Sequence, residues 1–409
     1  VSARFQAPRG TFDVLPEGAP PRLRIAHAAA DVLERAGYGR IETPAFEDTE
    51  LFTRGVGAST DIVRKEMFTF SDQGERSLTL RPEATAAICR AYLEHGMQTR
   101  AQPVKLWCLG PFFRHERPQA GRFRQFTQVD AEAIGSDSPL VDAELIILLD
   151  ELLRGLGVPA LSLKLGSLGS PAGRSAYREE LVAFLRSREA ELAPDVRERI
   201  YENPLRAFDS KDEGTREVMD EAPTMLERLE GEDAEHFDEV RAVLDHAGIN
   251  YGLDPTLVRG LDYYTRTVFA FECQHLGAQS EVGGGGRYDG LVELLGGPPT
   301  PAIGWAAGIE RIALALAGDE PEAAIDVFVA APDPQRQRAL ALVTELRRAG
   351  LSADLDLAGR ATKGQMKQAD RLGARRAVIL DEQGAAQLRD MASGEQREVD
   401  LNRIADELR

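Results

Sequence analysis

Two strand-like segments joined by a polar turn constrain this chain more than any other feature. Residues 104–114 (VKLWCLGPFFR) are apolar and aromatic, residues 124–134 (RQFTQVDAEAI) alternate in polarity, and a polar run, HERPQAGR, lies between them. Runs of this kind on either side of a turn read as a long antiparallel hairpin, so the chain is expected to contain an antiparallel sheet. On the return strand side chains alternate with a period of two, which puts Phe126, Gln128, Asp130 and Glu132 on one face. That face is unusually polar for a strand flanked by apolar sequence. It is either the solvated side of a hairpin, which these residues alone slightly favour, or the floor of a pocket. A floor would offer a ring to stack on a base, then an amide and carboxylates for a polar cationic ligand.

Other elements follow from local pattern. Residues 22–36 read as an amphipathic helix with Leu23, Ala26, Ala30 and Leu33 on its apolar stripe; Pro20-Pro21 precede it and Gly37 ends it. From 171 to 250 the texture is charged and helix-favouring, the mark of an inserted helical module. Strand character resumes at Tyr263–Phe271, before the four consecutive glycines Gly283–Gly286, and 303–317 reads as a strand or loop running into a helix. Beyond Gly318-Asp319-Glu320-Pro321, strands at 326–331, 352–357 and 376–380 alternate with helices at 335–349 and 363–372. This βαβαβ rhythm predicts a small separate α/β domain. The expected fold is therefore an α+β domain on an antiparallel sheet (1–170 and 251–321), interrupted by a helical insertion (171–250) and followed by an α/β domain (322–409).

Composition narrows the function. A chain of 409 residues is too long for one ordinary domain. No apolar run approaches the ~20 residues of a membrane span, and the N-terminus lacks a signal-peptide pattern, so a cytoplasmic protein is expected. Cys89, Cys108 and Cys273 are isolated and odd in number, which reads as small buried apolar residues rather than a disulfide framework or structural zinc. The net charge of −18 argues against indiscriminate nucleic-acid binding. The charge is uneven: residues 171–250 hold 21 Asp+Glu and 11 Lys+Arg, a net of −10. The last ~85 residues are balanced and cluster Arg347, Arg348, Lys363, Lys367, Arg371, Arg375 and Arg376, which leaves room for one specific RNA.

No phosphate-binding loop is present, and Gly283–Gly286 does not read as the glycine fingerprint of a dinucleotide site. Any nucleotide must be held otherwise, and arginines on a sheet are the candidates. Three short constellations stand out: Arg81-Pro82-Glu83-Ala84-Thr85, Phe113-Arg114-His115-Glu116-Arg117 and Gly308-Ile309-Glu310-Arg311. A guanidinium fork matches a pair of phosphate oxygens, and a nearby carboxylate can orient it or hold Mg²⁺. Taken singly, each is more often a surface ion pair, by about 10 to 1. The segment Leu257-Val258-Arg259-Gly260-Leu261-Asp262-Tyr263-Tyr264-Thr265 sets two tyrosines beside an arginine and an aspartate, and periodicity cannot separate a site from strand aromatics there.

Taken in order, these segments resemble the class II aminoacyl-tRNA synthetases and, in detail, the histidine–tRNA ligase family. Pro44 matches the first class motif, FFRHERPQAGRFRQF the second and AAGIERIAL the third. LVRGLDYYTRTVF and GAQSEVGGGGRYDGL look like the two signatures peculiar to the histidine enzymes, and RGTFDVLP, NPLRAFDSK and KGQMKQADRLGARRAVIL also look like this family. The resemblance implies ATP-dependent activation of L-histidine and its transfer to tRNA(His). It implies that Arg114 holds the ATP α-phosphate and the histidine carboxylate, with Arg259 opposite, and that Arg311 holds the γ-phosphate end. Glu116, Arg122 and Phe126 would seat the adenosine and phosphates. Glu83 and Thr85 would hold the amino group, with Ala84 contributing backbone only, while Gln128, Glu132, Tyr263 and Tyr264 line the histidine pocket. Arg117 and Gln119 would meet the tRNA acceptor end. Mg²⁺ would act mainly through the ATP phosphates, with no protein ligands assigned to it, and a homodimer is implied.

The chemistry fits that choice. Attack of a carboxylate on the α-phosphate brings two anions together, and fixed cations lower the barrier without a protein nucleophile. An imidazole needs partners for both ring nitrogens, for which Glu132 and Tyr264 are candidates, and such polar selection calls for no editing domain. Ala84 stands where the family commonly has glycine, Ala270 where an acidic or polar residue is expected, and Asp130 at a variable position. A synthetase-like regulatory subunit of histidine biosynthesis would be expected to lose the histidine signatures and the last domain, both of which this chain carries. A tRNA-sensing module would accompany a kinase sequence, which is absent.

Overall fold

The computed structural model describes residues 5–57, 60–202, 204–258, 261, 263–316, 325–401 and 403–408, in two compact units, 1–317 and 318–409. The linker at 318–321 and Arg259 lie outside the described residues.

The first unit is built on strands β1 (Gly39–Arg40), β2 (Phe46–Asp48), β3 (Phe68–Ser71), β4 (Ser77–Leu80), β5 (Val104–Phe113), β6 (Gln125–Ile134), β7 (Leu161–Ser167), β8 (Gly252–Leu253), β9 (Thr265–Cys273), β10 (Glu281–Arg287) and β11 (Ala302–Gly308). Eight of them form one sheet in the order β1-β5-β6-β11-β10-β9-β7-β8, and β2-β4-β3 form a small second sheet. All pairings in the large sheet are antiparallel except the outermost, β1 with β5 and β7 with β8. The hairpin read from sequence is its centre, with β5 and β6 in unbroken register from Val104↔Ile134 to Phe113↔Gln125.

Helices α1 (Ala19–Arg35), α2 (Thr85–Glu94), α3 (Pro139–Gly155), α4 (Pro171–Ser187), α5 (Gly231–His246) and α6 (Ile309–Ala315) accompany this sheet. Helix α1 starts on prolines that need no hydrogen bond in a first turn. It ends at Gly37, whose φ of 82° only glycine adopts cheaply, with Tyr38 N–H bonded to Leu33 O at 3.0 Å. Its buried stripe differs from the expected one. Ile25, Ala29, Val32 and Leu33 face the core, while Leu23 is 56% exposed. Both sets have helical spacing, and only the sheet beneath the helix decides between them.

One face of the sheet carries the main core. Val129, Ala131 and Ala133 of β6 pack there with Leu145, Ile146, Leu149 and Leu153 of α3 and Phe269 and Phe271 of β9. Phe237, Val240 and Leu244 of α5 join the same core, whereas Tyr177, Leu181 and Leu185 of α4 belong to a separate one with Val218, Met219 and Met225. The helical segment between 171 and 250 thus has its own core only up to about the start of α5. A buried ionic node ties α5 to the sheet. Asp142 of α3 accepts from Arg287 Nε at 2.8 and 3.0 Å and lies 2.8 Å from His236 Nε2 of α5, and Arg287 is fully buried. The Arg287 fork also donates to Ser136 O, Ser138 O and Asp289, so its charge is paired and its hydrogens are used.

The second unit forms the expected alternation: β12 (Ile325–Ala330), α7 (Arg336–Arg348), β13 (Ala353–Leu355), α8 (Thr362–Arg371) and β14 (Ala374–Leu380). Its order is β13-β12-β14-β15-β16. The first three strands are parallel, and β15 (Ala386–Asp390) and β16 (Gln396–Val399) add an antiparallel edge that the sequence reading did not anticipate. All three cysteines, in the first unit, are buried and free.

Candidate active site

The face of the large sheet opposite the main core holds a cavity of about 400 Å³. Alternation along β6 creates its floor: Phe126, Gln128 and Asp130 line it, while Val129 and Ala131 on the alternate face point into the core. The solvated-hairpin reading fails on burial, since Asp130 is 2% and Glu132 1% exposed. Glu83 and Thr85 reach the cavity from the start of α2, Tyr263 and Tyr264 from the segment before β9, and Arg311 from α6. Arg114, Glu116 and Arg122 come from the end of β5 and the turn after it.

Several sequence candidates sit elsewhere. Glu132 does not line the cavity. It lies one layer behind, accepting from Thr85 Oγ1 at 2.7 Å and from Tyr288 Oη at 2.6 Å, and both donors do line it. Ala84 is buried at the N-cap of α2. Arg117 and Gln119 are exposed in the hairpin turn, which Gln119 closes against Arg122 through paired backbone bonds of 3.1 and 2.9 Å. Tyr288, absent from the sequence candidates, is the main addition. Its signal was present, because Tyr288 follows the glycine run, but nothing in a strand pattern says which tyrosine turns inward.

The three Arg/Glu constellations divide. Arg81 is not a phosphate ligand: its fork bonds Pro111 O, Thr43 O and Thr43 Oγ1, and its plane covers the Phe112 ring. From that motif it is Glu83 that reaches the cavity. Glu310 is taken by Arg22 at 2.8 Å and by Thr127 N–H at 3.1 and 3.0 Å, so it pins α6 to β6 and α1. Arg114 and Arg311 keep the role of cavity cations. Arg114 Nε donates to Pro82 O at 2.8 Å, and its guanidinium lies 5.3 Å from the Phe126 ring centroid. Arg311 is anchored by Glu281 O and Gly121 O. Burial, followed by the nearby Arg122 charge, lowers its pKa, as expected where guanidinium groups gather. Glu116 pairs with Arg122 at 3.2 Å.

Buried carboxyl groups line and back the floor. Burial raises the Glu83 carboxyl above its usual range, against hydrogen bonds from the first turn of α2 that lower it. Burial, then the neighbouring Glu83 charge, pushes Asp130 up to about 8. Burial pushes Glu132 well up, and the Tyr263 and Tyr288 phenols likewise. Glycine makes this packing possible. A Cβ on Gly304 would lie 1.6 Å from Glu132 Oε2, and one on Gly285 would lie 1.9 Å from Gly304 O. The strands β10 and β11 approach closely here because they carry no side chain to hold them apart.

Known proteins share this architecture. The family model described as histidyl-tRNA synthetase matches residues 10–312, and one described as an anticodon binding domain matches 326–409. A histidine–tRNA ligase of Rubrobacter xylanophilus is 50% identical over 97% of this chain and 96% of its own length. One from Thermosynechococcus vestitus is 48% identical over 96% of this chain and 93% of its own. The crystal structure of apo S. aureus histidyl-tRNA synthetase superposes with a TM-score of 0.82 at 37% identity, covering 99% of this chain and all of that one. With the family model spanning most of the first unit and relatives at half identity aligned nearly end to end, the chain belongs to the histidyl-tRNA synthetase family.

Proposed function

We propose that this chain activates L-histidine with ATP to histidyl-adenylate and transfers the histidyl group to the 3′ end of tRNA(His), releasing pyrophosphate and AMP. One observation carries the reading: a single cavity is lined both by guanidinium groups suited to phosphate and by buried acceptors suited to an amino acid. In the first step a histidine carboxylate oxygen bonds the α-phosphorus as the bond to pyrophosphate breaks. Arg114, its Nε already held, offers its remaining N–H groups to an α-phosphate oxygen and the carboxylate. Arg311 takes the γ-phosphate end, and Phe126, Glu116 and Arg122 seat the adenosine and phosphates. Arg259 is assigned to the α-phosphate opposite Arg114, on family likeness alone. In the second step the terminal ribose hydroxyl attacks the adenylate carbonyl, expelling AMP, with Arg117 and Gln119 facing the acceptor end.

Glu83, Thr85 and Gln128 receive the amino-acid head, and Tyr263, Tyr264 and Tyr288 surround the side chain. Glu132 acts through Thr85 and Tyr288, fixing both hydroxyls. Mg²⁺ bound through the ATP phosphates would neutralise part of their charge. Among the described residues no group of three or more His, Cys, Asp or Glu could hold an ion alone, and the Glu116 and Glu281 carboxylates at the cavity are oxygen donors of the kind it takes.

Residues 1–170 with 251–321 serve as the catalytic domain, 171–250 as an insertion approaching the acceptor arm and 322–409 as the anticodon-binding domain. The protein works in the cytoplasm as a homodimer. Exposed Phe46 and Phe70 of the small sheet, with ring centroids 6.1 Å apart beside exposed Pro44, are an apolar face that a second copy would cover. No described helix is long and apolar enough to cross a membrane. The test is ATP–pyrophosphate exchange with each of the twenty amino acids: histidine alone should support it, and exchange driven by another amino acid would overturn the assignment.

A further inference from the structure

We propose that Arg174, in the first turn of the insertion helix α4, is a positioning residue for the amino-acid pocket and acts by holding the backbone of Tyr264. The inference rests on the histidine-activating reading above and gives a role to a residue outside the cavity.

The segment that brings Tyr263 and Tyr264 to the cavity has no regular structure to place it. Among the described residues, 254–264 form neither helix nor strand, yet both tyrosines line the cavity and are 7% exposed. Order begins at β9, and the start of that strand is irregular. Gly286 of β10 faces Val268 while Arg287 faces Thr265, so Arg266 and Thr267 bulge out of the ladder. Arg266 has a φ of 44°, a left-handed conformation that a residue with a Cβ keeps only where its surroundings hold it.

Those surroundings belong to the helical insertion. Where the chain leaves β7, Leu168 N–H donates to Arg266 O at 2.7 Å, and Arg266 N–H donates to Gly169 O at 2.9 Å. At the start of α5, Asp233 accepts from Arg266 Nε at 3.1 Å. Its other oxygen accepts from Ser170 N–H at 2.8 Å and Ser170 Oγ at 2.7 Å, and Ser170 is the N-cap of α4. The bulge is thereby fixed against the beginning of that helix. Within its first turn, Arg174 Nη1 donates to Tyr264 O at 3.0 Å. A cation this close to a helix N-terminus faces the positive end of the helix dipole, so its own helix does not favour it there. What Arg174 gains is a charge-assisted bond to the carbonyl of a residue that lines the cavity. Carbonyl and side chain hang from one Cα, so a displacement of the first carries the second, and a shift of about 1 Å at a substrate-facing group is costly.

The test is ATP–pyrophosphate exchange in Arg174→Ala, Arg174→Lys, Tyr264→Phe and the double variant Arg174→Ala/Tyr264→Phe. In Arg174→Ala the histidine KM should rise about 10- to 30-fold, the scale of one hydrogen bond from a charged group, while the ATP KM stays within about two-fold. Arg174→Lys keeps a cationic donor and should recover most of that loss. Because Arg174 works through Tyr264, its removal in the Tyr264→Phe background should raise the histidine KM by no more than about three-fold. A rise in both KM values together with a lower thermal midpoint would mark a merely structural bond and overturn the inference. A histidine KM within about two-fold of wild type in Arg174→Ala, or fully additive losses in the double variant, would overturn it too. Each of these results leaves the enzyme assignment standing, since wild type still exchanges with histidine. Wild-type exchange that does not depend on histidine would remove the assignment and the inference together.

Discussion

Gly304 and Tyr288 set the dimensions of the pocket. Adding a methyl group at Gly304 drives it into Glu132, which cannot retreat without breaking its bonds to Thr85 and Tyr288. Gly304→Ala is therefore expected to raise the histidine KM by about ten-fold or more while the ATP KM changes little, as measured by exchange kinetics. Tyr288→Phe removes one donor from a buried carboxylate and should cost histidine about ten-fold in KM, again with ATP nearly unaffected. Tyr288 was visible in sequence only as a member of a motif, and Gly304 only as part of the 303–317 segment. The alternation Phe126, Gln128, Asp130, Glu132 was fully legible, because period two follows from backbone geometry whatever surrounds the strand. Depth along the strand was not. Glu132 shares a face with the cavity residues yet lies behind Thr85 and Tyr288, since other chain segments decide which part of a face is open.

At the scale of elements, the hairpin was readable to within a residue because both strands and their turn are contiguous in sequence. The glycine run was read as unusual but not as a central strand, because its role depends on β9 and β11 lying against it. The stripe of α1 was misjudged by one step for the same reason: the partner surface is far away in sequence. Helix α5 was grouped with the charged insertion on composition, yet Phe237, Val240 and Leu244 enter the main core and His236 meets Asp142. That node gives a stability prediction. Asp142→Ala leaves the Arg287 charge buried and without its closest partner, and should destabilise the first unit by about 3–5 kcal/mol in denaturant titration. A loss below about 1 kcal/mol would mean that Asp289, already 2.9 Å from Arg287 Nη1, suffices to neutralise the charge.

For the whole molecule, two units with separate cores divide the labour. The second unit packs Val327, Val329, Leu342, Val343, Leu346 and Val378 around its own sheet, so removal of it leaves the cavity's residues in place. A fragment ending at 317 is expected to keep histidine-dependent exchange within about ten-fold and to lose tRNA charging by about 100-fold or more, a split read by running both assays on one preparation. Loss of exchange and charging together would place part of the activating machinery beyond residue 317.

The central claim is that histidine and ATP meet in this one cavity, the amino acid on the acceptor floor and the phosphates on Arg114 and Arg311. The most direct measurement is inhibition by a non-hydrolysable histidyl-adenylate analogue. It should compete with histidine and with ATP alike, bind about 100-fold or more tighter than either, and lose that advantage in Arg114→Ala. Competition against only one substrate, with the other still bound beside the analogue, would contradict the account.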